Sequence, residues 1–296
     1  MSGAPSTPVC VEWHRDIGPA AALSRQEKSN MQTMTHGLVR LHKDTQGVAT
    51  IELFNAPANA YSHEMMKDLD EAILDVRFDE KVHVIVLRGS GEKFFCAGAD
   101  IAMLGRVTTR YKYMFCLHAN ETLLRLEHTP KLVIAAIHGH CVGGGLEVAM
   151  AADLRVAARG TGKLGLPEVN LGVLPGTGGT QRLARMVGKS RAIELMAEGK
   201  TFDAEEAKAM GIVNQVWEKE GFFDRVNEYA RTFCPPGRAS MAVGFLKRAV
   251  QTGAEMSIEQ GLSLERELQQ RLFESDDAKE GIGAYNEKRK ASFQGE

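Results

Sequence analysis

Apolar positions along this chain follow two rhythms, short continuous runs and runs spaced three or four apart, and the pattern becomes regular only from about Gly37. Residues 48–53 predict a strand ending in the turn-rich Asn55-Ala56-Pro57-Ala58-Asn59. Ser62 is placed to cap a helix whose apolar positions, Met66, Leu69, Ile73 and Val76, lie on one face. Residues 82–87 are almost continuously apolar and β-branched, as in a strand covered on both sides, and Gly89 and Gly91 end the run.

The rhythm then recurs. KLVIAAI, residues 131–137, predicts a second buried strand that runs through Gly139 and three adjacent glycines into a helix over 146–152. A short strand is expected at 154–157, and helices at 180–186, closed by Gly188, and at 191–197. Asp203 and Glu206 form a capping box for a short helix stopped by Gly211, and residues 212–217 return as a strand. Strands alternating with helices predict an α/β architecture. After Cys234-Pro235-Pro236-Gly237 only helical patterns remain, at 241–251, 258–273 and 276–293. In the second of these, Leu262, Glu265, Leu268 and Leu272 separate an apolar stripe from charge. The chain thus divides into a loosely ordered tail over 1–36, a core over 37–234 and a helical region over 235–296 of the kind that covers a neighbouring subunit.

Composition narrows the classes. Lys and Arg total 36 against 38 Asp and Glu, a formal charge of -2, so no field of one sign points to nucleic acid or an anionic membrane. The five cysteines, Cys10, Cys96, Cys116, Cys141 and Cys234, are odd in number and irregularly spaced, which predicts reduced, mostly buried thiols rather than a disulfide framework or a zinc site. No apolar run approaches the roughly 18 residues of a membrane span. The first 35 residues mix Arg15, Arg25 and Lys28 with Glu12, Asp16 and Glu27 and lack a secretory apolar core; Met31 and Met34 are alternative starts. A cytoplasmic protein without a membrane anchor is the expectation.

The chemistry concentrates at two glutamates beside glycine-rich turns. One is Glu147 in Gly143-Gly144-Gly145-Leu146-Glu147; the other is Glu168 in Gly165-Leu166-Pro167-Glu168, shortly before Pro175-Gly176-Thr177-Gly178-Gly179. Three adjacent glycines are costly in chain entropy, but they let a ligand approach the backbone, and the helix start beyond them leaves N–H groups unpaired. An oxyanion placed there is stabilised, and losing one such donor typically costs about 2.7–4 kcal/mol in the transition state. A tight strand-to-helix turn with no ligand is the plainer alternative. Neither phosphate-cradle motif fits. Val148 stands where a dinucleotide loop needs glycine, and Gly188-Lys189-Ser190 lacks the required upstream glycine.

Glu147 falls in the first turn of its helix, where a carboxylate can serve only to offset the helix end. Glu168 is an acid in an apolar run, with Leu164, Leu166, Val169 and Leu171, and burial would raise its pKa. Two such acids near one another titrate as a coupled pair and can hold a water that is both nucleophile and proton donor. Small residues after a bulky pair in Phe94-Phe95-Cys96-Ala97-Gly98-Ala99-Asp100-Ile101 suggest backbone lying close to something, and a buried turn explains them equally. His138 and His140 flank Gly139 without an evident third metal ligand.

At these residues the sequence resembles the crotonase (enoyl-CoA hydratase/isomerase) superfamily, from about Gly37 to Phe293. FFCAGADI, IAAIHGHCVGGGLEVAMAADLRVA, LGLPEVNLGVLPGTGGTQRL, TFDAEEAKAMGIVNQV and YNEKRKASF occur in the family's order. The resemblance implies a spiral of repeated ββα units, a C-terminal helical trimerisation region, and a homo-oligomer, trimer or hexamer. It implies an acyl-CoA thioester substrate and no separate cofactor or metal. By the same resemblance the backbone N–H groups of Ala99 and Gly144 form an oxyanion hole, Glu147 activates water for C3, and Glu168 exchanges the proton at C2. Coenzyme A contacts are implied at Ala58, Ala60, Ala97, Asp100, Ile101 and Gly176, with Lys288 reaching a neighbouring subunit's nucleotide. Residues 103–118, with Tyr111, Tyr113 and Phe115, would shape the acyl pocket. Retention of both acids favours a 2-enoyl-CoA hydratase. An isomerase, a hydratase for branched or aromatic-pathway acyl groups, and a non-catalytic or RNA-binding relative remain as alternatives.

Overall fold

The computed structural model describes residues 31–296; residues 1–30, with most of the expected tail, Cys10 and the region weighed as a leader, lie outside the described residues. The short strand β1 (Gln32–Thr33) pairs antiparallel with β2 (Val39–Lys43), which pairs antiparallel with β3 (Val48–Leu53). Helix α1 (His63–Phe78) follows. The Ser62 hydroxyl accepts from the Met65 N–H at 3.4 Å, and Met66, Leu69, Ile73 and Val76 are buried, as the spacing predicts.

A strand–strand–helix unit then repeats. Its first copy is β4 (Val84–Gly89), β5 (Phe94–Cys96), α2 (Ile101–Leu104) and α3 (Thr109–Glu127). The second is β6 (Leu132–Ile137), β7 (His140–Val142) and α4 (Gly144–Met150). The third is β8 (Leu154–Ala158) and β9 (Leu164–Gly165), a 3-10 turn over Glu168–Leu171, and helices α5 (Gly179–Val187) and α6 (Lys189–Ala197). Strand β10 (Thr201–Phe202), α7 (Ala204–Ala209), β11 (Gln215–Trp217) and α8 (Phe222–Arg231) complete the core.

The first strand of each unit joins a seven-stranded sheet of order β1-β2-β3-β4-β6-β8-β11. The second joins a four-stranded sheet of order β10-β9-β7-β5. From β3 to β11 the large sheet is parallel, with Ile134 opposite Leu154 and Val86 opposite Ile134 in register. Every residue of β6 is buried because both faces are covered. Val133, Ala135 and Ile137 enter the main core with α1 and α4, while Leu132, Ile134 and Ala136 pack under Phe222, Val226 and Ala230 of α8. The predicted run from KLVIAAI straight into the helix therefore contains an extra element. Strand β7 has three residues, too few to show a pattern, and the chain enters the small sheet there after Gly139.

Other predicted bounds shift for local reasons. The strand expected at 212–217 begins only at Gln215, since the Ile212 and Val213 N–H groups donate to the Ala207 carbonyl of α7. The Asp203/Glu206 capping box is present in both directions. Helix α3 was not readable from its apolar spacing, and much of its outer face, with Tyr113, Met114 and Leu117, is exposed.

The C-terminal helices are α9 (Ser240–Gly253), α10 (Ile258–Glu274) and α11 (Asp276–Asn286). The last ends seven residues before the predicted 293. Lys288 takes φ 56°, and the segment beyond folds back so that the Asp277 carboxylate accepts from the N–H groups of Gln294 at 2.7 Å and Gly295 at 2.8 Å. Helix α9 docks on the core through buried charge. The Lys247 ammonium contacts Asp153 at 2.8 Å and donates to the Lys131 carbonyl at 2.9 Å. Asp153 also accepts from the Val133 N–H at 2.7 Å and from Gln251 Nε2 at 2.7 Å. Lys247→Met leaves that carboxylate buried without its cation, and chemical denaturation is expected to show a loss of about 3–5 kcal/mol, partly recovered by adding Asp153→Asn.

Candidate active site

One cavity of about 540 Å3 lies where the ends of β5 and β7 meet α2, α3 and the loop before α5. Both predicted acids line it, with Ala97, Gly98, Ala99, Gly143, Gly144, Gly176 and Thr177; its apolar wall is Ile101, Leu104, Leu171, Val173 and Leu174.

Two backbone segments with N–H groups outside the helix and strand ladders, at Ala99 and Gly144, line this space. Tyr61 and Ala99 form an isolated parallel bridge in which the Tyr61 N–H donates to the Gly98 carbonyl at 2.9 Å and the Asp100 N–H donates to the Tyr61 carbonyl at 3.0 Å. In a parallel bridge the residue between those two bonds directs its own N–H and carbonyl away from the partner, so the Ala99 N–H is free to face the cavity. Gly144 opens α4, and the first N–H groups of a helix have no intrahelical acceptor. The two segments abut: a Cβ on Gly98 would stand 2.9 Å from the Gly144 nitrogen.

The glycines before Glu147 are required by this packing. Gly143 takes φ 56° and ψ -133°, which turns the chain from β7 into α4, and a Cβ there would meet Glu168 Oε1 at 3.0 Å. A Cβ on Gly145 would stand 2.0 Å from the Cys96 carbonyl, so only glycine lets β5 lie against this helix start.

Glu147 is 2% exposed. Its Oε1 accepts from the N–H groups of Thr177 at 2.8 Å and Gly179 at 2.6 Å, and its Oε2 accepts from the Thr177 hydroxyl. The carboxylate therefore sits at the N-terminus of α5, whose partial positive charge it meets. Its partner is the next helix of the spiral, not the end of its own helix. The turn 175–179 aims the N-terminus of α5 at this glutamate.

Glu168 differs. Its Oε2 is buried without a hydrogen-bond partner among the described residues. Desolvation, with a smaller contribution from the charge of Glu147, pushes its carboxyl up to about 7 against a bond to its own backbone and the opposing pull of Lys112. Glu168 opens a 3-10 turn, closed by Gly172 at φ 71°.

The remaining predicted contacts divide. Ala97, Ile101 and Gly176 line the cavity, while Ala58, Ala60, Asp100 and Lys288 do not. The Ala58 carbonyl accepts from the Ala97 N–H at 3.0 Å, and the Ala60 carbonyl accepts from Asn55 Nδ2 at 2.6 Å, so both support the rim as backbone. Asp100 caps α2 by accepting from the Met103 N–H at 3.1 Å. Lys288 is exposed beyond α11. Cys96 is buried, and burial pushes its thiol up to about 12; burial raises the Cys141 thiol as well. His138 packs on Phe223 with ring centroids 5.0 Å apart.

Three lining residues escaped the sequence reading. Thr177 lay inside a quoted glycine motif but carried no assigned role, Tyr61 reads as an ordinary core position before a cap, and Lys112 falls in the stretch without a readable period. Only the PGTGG spacing could have drawn attention to the first.

A family model described as enoyl-CoA hydratase/isomerase matches residues 43–296. A probable enoyl-CoA hydratase of Bacillus subtilis (strain 168) is 39% identical over 253 residues, covering 85% of this chain and 96% of that protein. The mitochondrial methylglutaconyl-CoA hydratase of Homo sapiens is 34% identical over 293 residues, covering 96% and 86%. A crystal structure from Geobacillus kaustophilus HTA426 superposes with TM-score 0.85 at 44% identity, covering 88% of this chain and 97% of that one. Repeating ββα units, the acid pair at one cavity and these matches agree: the chain belongs to the enoyl-CoA hydratase/isomerase family.

Proposed function

We propose that the protein is an enoyl-CoA hydratase, adding water reversibly across C2=C3 of a 2-enoyl-CoA to give a 3-hydroxyacyl-CoA. The observation that carries this reading is the contrast between the acids at one cavity: Glu147 surrounded by three donors, Glu168 desolvated with an unpartnered oxygen.

The thioester oxygen sits between the N–H groups of Ala99 and Gly144. Water attacks C3, its oxygen bonding there while the C2=C3 electrons shift toward C2 and the thioester oxygen. The two N–H groups hold the enolate charge as it develops. Glu147 accepts a proton from the attacking water, and Glu168, neutral up to about 7, delivers its proton to C2. The proton left on Glu147 returns to Glu168 through a second water. No step calls on a metal or a redox cofactor. Isomerisation would require only one carboxyl to carry a proton between C2 and C4, which would leave Glu147, held by three donors, without a part in the reaction.

The apolar side chains exposed on the C-terminal helices, including Leu246, Val250, Ile258 and Phe273, support assembly into a trimer or hexamer. Among the described residues no helix is long and apolar enough to cross a membrane. The buried free thiols Cys96, Cys141 and Cys234 suit a reducing compartment, the cytoplasm.

A second reading concerns the acyl group. Lys112 lines the cavity beside the apolar wall and has no carboxylate within salt-bridge distance among the described residues. Its ammonium lies 5.4 Å from the Phe115 ring centroid, and a cation so placed at the cavity favours an acyl chain carrying a distal carboxylate, as the name of the human relative also suggests.

With crotonyl-CoA, Glu147→Gln and Glu168→Gln are each expected to lower kcat by about 10²–10⁴-fold, read from loss of the conjugated-thioester absorbance; wild-type turnover in both would overturn the mechanism. Hydration and dehydration both run through the state in which the acid pair holds one proton, and the net reaction takes up none, so kcat/KM in the two directions is expected to fall together as pH rises through about 7. Glu168→Gln removes this limb. Lys112→Met is expected to lower kcat/KM for glutaconyl-CoA about tenfold more than for crotonyl-CoA, a difference of about 1.4 kcal/mol, and to move the Glu168 limb upward because its opposing cation is gone.

A further inference from the structure

We propose that Tyr61 is a positioning residue, tying the carboxylate that handles water to both backbone donors that hold the thioester oxygen. The inference rests on the hydratase reading and adds to it a residue that acts through Thr177 and through the backbone at Ala99 and Gly144.

Each link is a separate contact. The Tyr61 phenol is 2% exposed, and its oxygen lies 3.0 Å from the Thr177 hydroxyl oxygen. That hydroxyl has one proton and gives it to Glu147 Oε2. It must therefore accept from Tyr61, and the direction of the chain is fixed: phenol to threonine to carboxylate. Burial, reinforced by the charge of Glu147, raises the phenol well above its ordinary range, so the proton it donates is always present. A chain of donors polarised in one direction strengthens each bond in it.

The same residue sets the other half of the site. Its backbone N–H and carbonyl hold Gly98 and Asp100, which turns the Ala99 N–H to the cavity. Its ring lies directly beneath Gly144: a Cβ there would stand 2.1 Å from the phenol oxygen and 2.6 Å from the ring carbons Cε1 and Cζ. The ring is itself braced by Phe115, with centroids 5.9 Å apart. Ala99 comes from the first ββα unit, Gly144 and Glu147 from the second and Thr177 from the third, and Tyr61 contacts Gly144 and the supports of Ala99 and Glu147. Without the phenol oxygen the Thr177 hydroxyl loses its donor and is free to rotate away from Glu147, while the ring and the backbone bridge stay in place.

Tyr61→Phe isolates the hydroxyl. The expected result on crotonyl-CoA is a kcat lower by about tenfold, a KM within about twofold and an unchanged melting temperature, since a misdirected base weakens the transition state without altering ground-state binding. Thr177→Val gives a loss of the same kind, Thr177→Ser retains more activity than Thr177→Val, and Tyr61→Phe adds no further loss to either Thr177→Val or Glu147→Gln. A wild-type kcat in Tyr61→Phe, or an undiminished loss in the Glu147→Gln background, overturns the proposal. Difference infrared spectroscopy supplies a readout that does not need turnover. The carboxylate stretch that disappears in Glu147→Gln is expected to shift in Tyr61→Phe and in Thr177→Val, and an unmoved band overturns the tether. If the wild-type protein hydrates no enoyl-CoA, the hydratase reading fails, while the infrared shift still decides whether Tyr61 orients Glu147.

Discussion

Backbone lying directly on backbone is the constraint from which the rest of this site follows. The end of β5 and the turn between β7 and α4 meet with no side chain between them. A Cβ on Gly145 would sit 2.0 Å from the Cys96 carbonyl, and one on Gly98 would sit 2.9 Å from the Gly144 nitrogen. That spacing brings Ala99 and Gly144, from separate ββα units, to the lining of one cavity. The cost is the chain entropy of several glycines, and it is offset by the buried sheets on either side. With β6 covered on both faces and β7 paired to both β5 and β9, the turn has little freedom to relax.

Given that meeting point, the two carboxylates acquire different chemistry from their surroundings alone. Both are glutamates at the same cavity. One meets the amino-terminal N–H groups of a helix, and the other presents an oxygen to a space without donors. Environment separates the acid from the acceptor, as it does wherever paired carboxylates divide the roles of donor and base. Lys112 moderates the second acid, so the apolar wall is not electrostatically silent.

Much of the frame was legible. Val48–Leu53, the Ser62 cap, the KLVIAAI strand, the Asp203/Glu206 box and the two longer C-terminal helices follow from periodicity and capping, which are local properties. What escaped was short or held by distant partners. Strand β7 has three residues and β9 has two, and each is a strand only because the small sheet pairs it. The final helix stops early because Asp277 holds the returning tail, an attraction invisible to helical spacing. At the site, the glycine motifs and both glutamates stood out in the sequence, as did Ala99 by resemblance. Ala58, Ala60 and Asp100 stand outside the cavity lining and make backbone or capping bonds, because a loop beside a cavity can be near in sequence to its lining without facing it.

The sequence by itself determined the alternation of elements, the glycines that admit close backbone approach and the presence of two acids, because each depends on residues within one or two turns of one another. The tertiary structure decided which N–H groups stay unpaired, which helix receives Glu147, how far Glu168 is desolvated and which tyrosine braces them. The physical reason is that hydrogen-bond partnership and desolvation belong to a position in space, and the groups that set them, Tyr61, Lys112, Glu147, Glu168 and Thr177, are brought together only when the spiral closes.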